Sequence, residues 1–202
     1  MMRLPLLLLF AAALSGAETH PYWIEPCSRQ LSRESGCDPS DPELAEWALQ
    51  AWQTAGAGRL AFVRVGDEQK ARIRIYWVGG HLGLYGETRP IVVDGKPGAA
   101  VYVRPDMGQL GPEIDSAGRK DRLFRHAIVY LTCLHESGHA IGLPHTAAFN
   151  DIMYSFGYGG DILEYFARYR RKLAAREDIR KHSGMSPSDQ ARLAARLSAV
   201  QW

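Results

Sequence analysis

The chain has 202 residues, 46% of them hydrophobic, with 24 Lys and Arg against 22 Asp and Glu for a formal charge of +2. That length fills one domain with a full hydrophobic core and would cramp two. The near balance of charge removes any global argument for a nucleic acid or an acidic surface as partner, so partners must be read locally.

The chain opens on a short positive start, Met1 to Arg3, an apolar stretch from Leu4 to Leu14, and the small residues Ser15, Gly16 and Ala17. This is the pattern of a secretory signal peptide over residues 1–17, with Glu18 the first mature residue and the formal charge lowered to +1. The apolar stretch is too short to span a bilayer comfortably, and no later segment approaches that length, so no membrane span is expected after signal removal. The residue directly after the cleavage point, Glu18, is not a cysteine, which argues against a lipoprotein. The expected location is secreted or extracytoplasmic, in a periplasm or outside the cell. Residues 18–41 form an N-terminal segment in which Cys27 and Cys37 bracket a short polar stretch. In an exported protein a disulfide between them is the default reading, while Cys133 reads as a small buried side chain.

Asp41-Pro42-Glu43 is a helix start, with an N-cap, a proline in the first turn and an acid behind it. Leu44, Trp47, Ala48, Ala51, Trp52 and Ala55 repeat at helical spacing and Gly56 closes the element, an amphipathic helix that packs on a sheet. Leu60 to Val65 and Ala71 to Val78 alternate apolar and polar residues as strands do. Gly79 to Thr88 is glycine-rich and irregular; it leads through Pro90 into Ile91-Val92-Val93, a turn at Asp94-Gly95, and a last strand near Ala100 to Val103. Downstream of Gly118, the residues Leu123, Phe124, Ala127, Ile128, Leu131 and Leu134 run at helical spacing directly into His135. His126 lies nine residues before His135, on roughly the opposite face, and is not expected to join it.

That helix delivers the most informative run in the chain, His135-Glu136-Ser137-Gly138-His139-Ala140-Ile141-Gly142-Leu143-Pro144-His145. Residues four apart share a helix face, so His135 and His139 can offer ring nitrogens to one point. A third ligand requires the helix to end and the chain to turn back, and Gly142 permits that through a positive φ. Three neutral imidazoles leave a fourth zinc position open to water, and Glu136 is placed to take that water's proton.

The run resembles the zinc signature of the metzincin metallopeptidases. Met153 fits the methionine turn of those families, and His145-Thr146 followed by Asp151-Ile152-Met153-Tyr154 is most similar to the matrixin branch. The resemblance covers about residues 42–200 apart from an insertion and implies a single α+β domain over 42–202. It would have a twisted mixed β-sheet packed on an N-terminal helix and an active-site helix, then a Met-turn and a C-terminal helix. It also implies one catalytic zinc on His135, His139 and His145, Glu136 as the catalytic base, and a peptide or protein as substrate. Leu84, Tyr85, Gly86 and Glu87 lie where the family has its edge strand above the metal, to which an extended peptide can add. Phe156 and Tyr158 lie where it has the pocket for the side chain just after the cleaved bond, and suggest an apolar pocket. Leu84, Tyr85, Gly86, Phe156 and Tyr158 are therefore the candidate substrate contacts.

The chain also departs from the family. Only His81 lies between Gly79 and Asp115, so the second, structural zinc of matrix metalloproteinases is not expected. Asp94, Glu113 and Asp115 offer oxygen ligands for calcium, but no spacing supports a site and they read as solvated loop acids. The propeptide motif that lets a cysteine silence the zinc is missing around Cys27 and Cys37. Ser155 stands where some metzincins have a tyrosine, so that tyrosine's support of the reaction is not expected. A helical insertion at about 159–183 carries an apolar stripe of Ile162, Phe166, Tyr169 and Leu173, with Arg168, Arg170, Arg171, Lys172 and Arg176 making much of the rest basic. It reads as one more helix docked on the domain with a solvated basic face; the sharper reading is a lid beside the pocket that engages an anionic partner. Ser186-Pro187-Ser188-Asp189 then caps a final helix. The expectation is a secreted zinc endopeptidase; the alternative is a secreted zinc-containing binding or adhesion module with vestigial proteolysis. Nothing in the sequence sets an oligomeric state.

Overall fold

Ile73, Ile75 and Trp77 point inward and alternate with more exposed neighbours, the period-two burial of a strand. The computed structural model describes residues 16–79 and 85–199; the signal segment through Ser15, His81 and the candidate contact Leu84 lie outside them. Within them β1 (Glu18–Ile24), β2 (Leu60–Arg64), β3 (Ile73–Trp77), β4 (Gly86–Val93) and β5 (Lys96–Val103) form one sheet in the order β2-β1-β3-β5-β4. The first three pairings are parallel and β4 pairs antiparallel with β5 through the Asp94-Gly95 turn, so the sheet is mixed.

Two differences from the sequence reading appear in the sheet. The N-terminal segment expected to precede the domain supplies an interior strand, since β1 lies between β2 and β3. Pro21 disguises it, because proline lacks the N–H that a central strand donates. It is accommodated because β1 meets β3 only from Tyr22 onward, and Pro21 contributes its carbonyl to the N–H of Arg72. Gly86 to Thr88, expected within an irregular stretch, are the first three residues of β4 and pair with Val103, Tyr102 and Val101. The disulfide expected between Cys27 and Cys37 is present, tying the end of β1 to the far side of α1 (Arg29–Ser35).

On one face of the sheet lie α2 (Asp41–Ala55) and α4 (Arg122–Ala140), preceded by α3 (Pro112–Lys120), which sequence periodicity did not reveal. Leu44, Ala48, Leu49 and Trp52 of α2 and Ala127, Ile128, Leu131 and Leu134 of α4 meet in the core with Ile73, Ile75, Val101 and Val103. Asp41 is the first residue of α2 rather than its cap; its fully buried carboxylate accepts two hydrogen bonds from Arg125 at 2.7 and 2.8 Å. Such a bidentate pair fixes orientation as well as distance, and here it pins the start of α2 to α4. Trp52 adds a second tie, its Nε1 donating to the carbonyl of Leu134 at 2.8 Å, one residue before His135.

The insertion folds as α5 (Ile162–Arg170), a turn, and a short 3₁₀ segment at Arg176–Arg180. The helix stops earlier than its apolar stripe suggests because side chains take over the backbone groups: Arg170 donates to the carbonyl of Leu173, and Asp178 accepts the N–H groups of Ala174 and Ala175. Its basic residues are largely engaged within the fold. Arg170 pairs with Asp121, Arg171 with Glu164 and Arg176 with Glu43, and Arg168 lies over the rings of Phe149 and Tyr165. The last element, α6 (Pro187–Ala199), is capped reciprocally, Ser186 and Asp189 each accepting the other's N–H.

Candidate active site

The buried side of α4 carries His135 and His139 one turn apart, and α4 gives way after Ala140 to a turn in which Gly142 has φ 88°. Leu143 then donates back to the carbonyl of Gly138, and the chain brings His145 round to the other two. The three Nε2 atoms stand 3.0, 3.2 and 3.2 Å apart. A tetrahedral zinc with bonds of about 2.0–2.1 Å needs donors roughly 3.3 Å apart, so the donor set and its spacing fit that ion. Among the described residues this is the one group of three or more side chains arranged to hold a metal. Asp94, Glu113 and Asp115 do not form such a group; Asp94 sits in the β4–β5 turn and Asp115 pairs with Arg119. His126 is buried elsewhere on α4 and takes no part.

The rings are oriented from behind. His135 Nδ1 lies 2.6 Å from the carbonyl of Ile152 and His139 Nδ1 lies 2.8 Å from that of Leu143. A carbonyl only accepts, so each Nδ1 carries the proton and each Nε2 presents its lone pair to the centre. Burial holds His135 down to about 4, with the neighbouring imidazoles adding to that effect and the Ile152 carbonyl opposing it. Burial likewise lowers His139. Both are neutral at physiological pH, the form that binds a metal.

Met153 is fully buried, and its turn is stitched to the residue after His145: Thr146 donates to the carbonyl of Met153 and accepts from Ser155. A Cβ on Gly138 would lie 2.4 Å from the Met153 sulfur and 3.0 Å from Trp52, so any larger residue here would have to displace the methionine. The turn is held from below by Asp189, fully buried at the start of α6, which accepts from the N–H groups of Ile152 at 2.8 Å and Met153 at 3.3 Å. Asp189 read from sequence as a helix cap; its second task has no local signal, since Met153 is 36 residues away.

Glu136 is buried beside the histidines and faces β4, where Thr88 donates to its Oε2 at 2.8 Å. Burial pushes its carboxyl up to about 7; the Thr88 hydrogen bond opposes this and the charge of Glu87 adds to it.

The four residues open onto a cavity of about 430 Å³. One wall is β4, with Tyr85, Gly86, Glu87 and Thr88; the strand is last in the sheet order, so its outer edge has no partner among the described strands. Leu131 and Thr132, one turn before His135 on α4, together with Leu110, Phe156, Tyr165 and Phe166, make the remainder largely apolar. Of the candidate contacts, Tyr85, Gly86 and Phe156 line the cavity and Tyr158, 65% exposed, does not. Phe156 to Tyr158 form a single tight turn capped by Ser155, and both rings lie near that of Tyr154. The sequence reading missed Leu131 and Thr132, although helical period puts them on the His135 face, and it missed Tyr165 and Phe166 of the insertion. Residues 37–161 match the matrixin family model.

The chain belongs to the matrixin family. No curated protein matches it. Membership accounts for the mixed sheet, the helix bearing the first two histidines and the methionine turn, and it makes the three histidines those of a zinc metallopeptidase family. The family match ends at residue 161, one residue before α5 begins, so the wall that Tyr165 and Phe166 give this matrixin lies outside the matched span.

Proposed function

We propose that this matrixin is an exported zinc-dependent endopeptidase in which Glu136 carries a proton from the attacking water to the departing amine. The observation that carries the reading is the convergence of three Nε2 atoms within 3.2 Å of one another, beside a buried carboxyl, in a cleft bordered by a strand edge with no partner among the described strands. His135, His139 and His145 would hold the metal. A zinc ion held there supplies Lewis acidity toward a peptide carbonyl and toward water. The outer edge of β4 offers backbone N–H and C=O groups to an extended peptide, which orients the bond to be cut. Leu131, Phe156, Tyr165 and Phe166 would receive an apolar side chain next to it. Export is supported by the N-terminal signal pattern and by the Cys27–Cys37 disulfide, a bond that persists in oxidising compartments. No helix among the described residues is long and apolar enough to cross a membrane. The pairing of Arg170 with Asp121 and of Arg176 with Glu43 weighs against a module that docks an anionic partner through α5.

The test is digestion of a broad peptide library by the purified protein, with and without a chelator, beside Glu136→Gln. Cleavage that the chelator abolishes and that the variant lacks supports the reading. Equal cleavage by variant and parent removes Glu136 from the mechanism, and a zinc-loaded parent that cuts nothing removes the peptidase assignment.

A further inference from the structure

We propose that Thr88, on the edge strand, is the positioning residue for Glu136, with Gly86 keeping open the space that the carboxylate occupies. The inference rests on the reading of Glu136 as the proton carrier and concerns how it is held. Gly86 and Thr88 are two apart on β4 and so face the same way. A Cβ on Gly86 would stand 2.5 Å from Glu136 Oε1, 2.8 Å from its Cγ and 2.9 Å from its Cδ, so the carboxylate is pressed against the strand backbone. Thr88 Oγ1 lies 2.8 Å from Glu136 Oε2 and 2.9 Å from the backbone carbonyl of the same residue.

A hydroxyl has one proton and two lone pairs, and it faces two oxygens here. With Glu136 ionised, Thr88 donates to Oε2. With Glu136 protonated, Oε2–H donates to Oγ1, and the threonine proton turns to the carbonyl. One side chain can therefore satisfy the carboxyl in both states without moving a heavy atom, which suits a group that must take up a proton and give it back. The arrangement also puts the holder of the base on the strand whose outer edge has no partner among the described strands and would receive the peptide, so base and substrate would be registered by one element.

The experiment compares Thr88→Val, which keeps the shape and removes the hydroxyl, with Thr88→Ser, which keeps the hydroxyl. Melting curves and zinc content verify that each variant is folded and loaded. On a peptide cleaved by the parent, Thr88→Val should lower kcat about 10- to 100-fold, the cost of a hydrogen bond to a charged group, with KM little changed. Thr88→Ser should stay close to the parent. A second readout needs no turnover: crystal structures of the zinc-free proteins should show the Glu136 carboxylate turned away from β4 in Thr88→Val and in its parental place in Thr88→Ser. The proposal is overturned if Thr88→Val leaves both kcat and the Glu136 position where they were, or if Thr88→Ser falls as far as Thr88→Val. A parent that cuts no peptide sinks the peptidase reading alone, and the Glu136 position then decides on Thr88.

Discussion

Removing the Asp189 carboxylate should weaken zinc binding, although the residue lies in the layer behind the ligands. Its oxygens accept from the N–H groups of Ile152, Met153 and Ser186 at 2.8, 3.3 and 2.8 Å, and the carbonyl of Ile152 in turn faces His135 Nδ1 at 2.6 Å. Asp189→Ala strands three donors around a fully buried side chain. Each stranded donor costs about 1–3 kcal/mol, and these costs do not simply add where a water can enter the space, so about 3 kcal/mol is expected for the site. For a chain of this size that is a fall in melting temperature of roughly 6–12 °C. Freed from below, the Ile152 peptide no longer fixes the His135 ring, and loss of such outer support costs about 10- to 100-fold in metal affinity. Calorimetric melting of the zinc-free protein and competition with a chromogenic chelator measure the two effects separately. Asp189→Asn, which keeps one oxygen, should fall between the variant and the parent. If Asp189→Ala loses stability but keeps its zinc affinity within about twofold, the link through Ile152 is refuted.

Phe166 closes the cavity from the insertion, so Phe166→Leu should shift the library profile toward bulkier side chains beside the cleaved bond, at a stability cost of about 1 kcal/mol; an unchanged profile would remove α5 from specificity. The pair at the start of β1 should make the fold acid-sensitive. Burial lowers His20 against the pull of Glu18, while Glu18, pushed up by its own burial, is brought below its ordinary range by Arg196 and His20. Both folded values lie below the unfolded ones, so the stability they contribute is present above 6.5 for His20 and above 4.5 for Glu18, and is lost as pH falls through the folded values. Melting temperatures of the parent and His20→Asn, taken from about pH 8 down to about pH 4, should show the parent losing ground from the upper of these values downward; a difference independent of pH would contradict it.

What could be read from sequence was what local spacing encodes. The ligands on α4 follow from helical period, the third from a glycine that breaks the helix, and the core of α2 from its apolar repeat. What escaped was set by contacts distant in sequence. Thr88 holds Glu136 across 48 residues, and Asp189 supports Ile152 across 37. Neither pair leaves a mark on its own segment, where threonine reads as a strand residue and aspartate as a cap. β1 was hidden because Pro21 argues against an interior strand until the offset between β1 and β3 is known. Phe156 and Tyr158 show the converse limit: two aromatics close in sequence invite a shared role, yet Phe156 lines the cavity and Tyr158 does not.

The place of β1 bears on how the molecule comes together. Residues 18–24 are synthesised before either of their partners, yet they sit between strands that begin at Leu60 and Ile73. The first strand made must wait, unpaired, until both neighbours have emerged, and it then closes contacts between distant parts of the chain, which is the slow kind of folding. During that interval its Tyr-Trp-Ile run is exposed as a ready template for wrong pairing. Folding yield should therefore depend on what protects this short segment while the rest of the sheet arrives, and a tag joined directly at Glu18 would burden the interior of the sheet rather than a loose end.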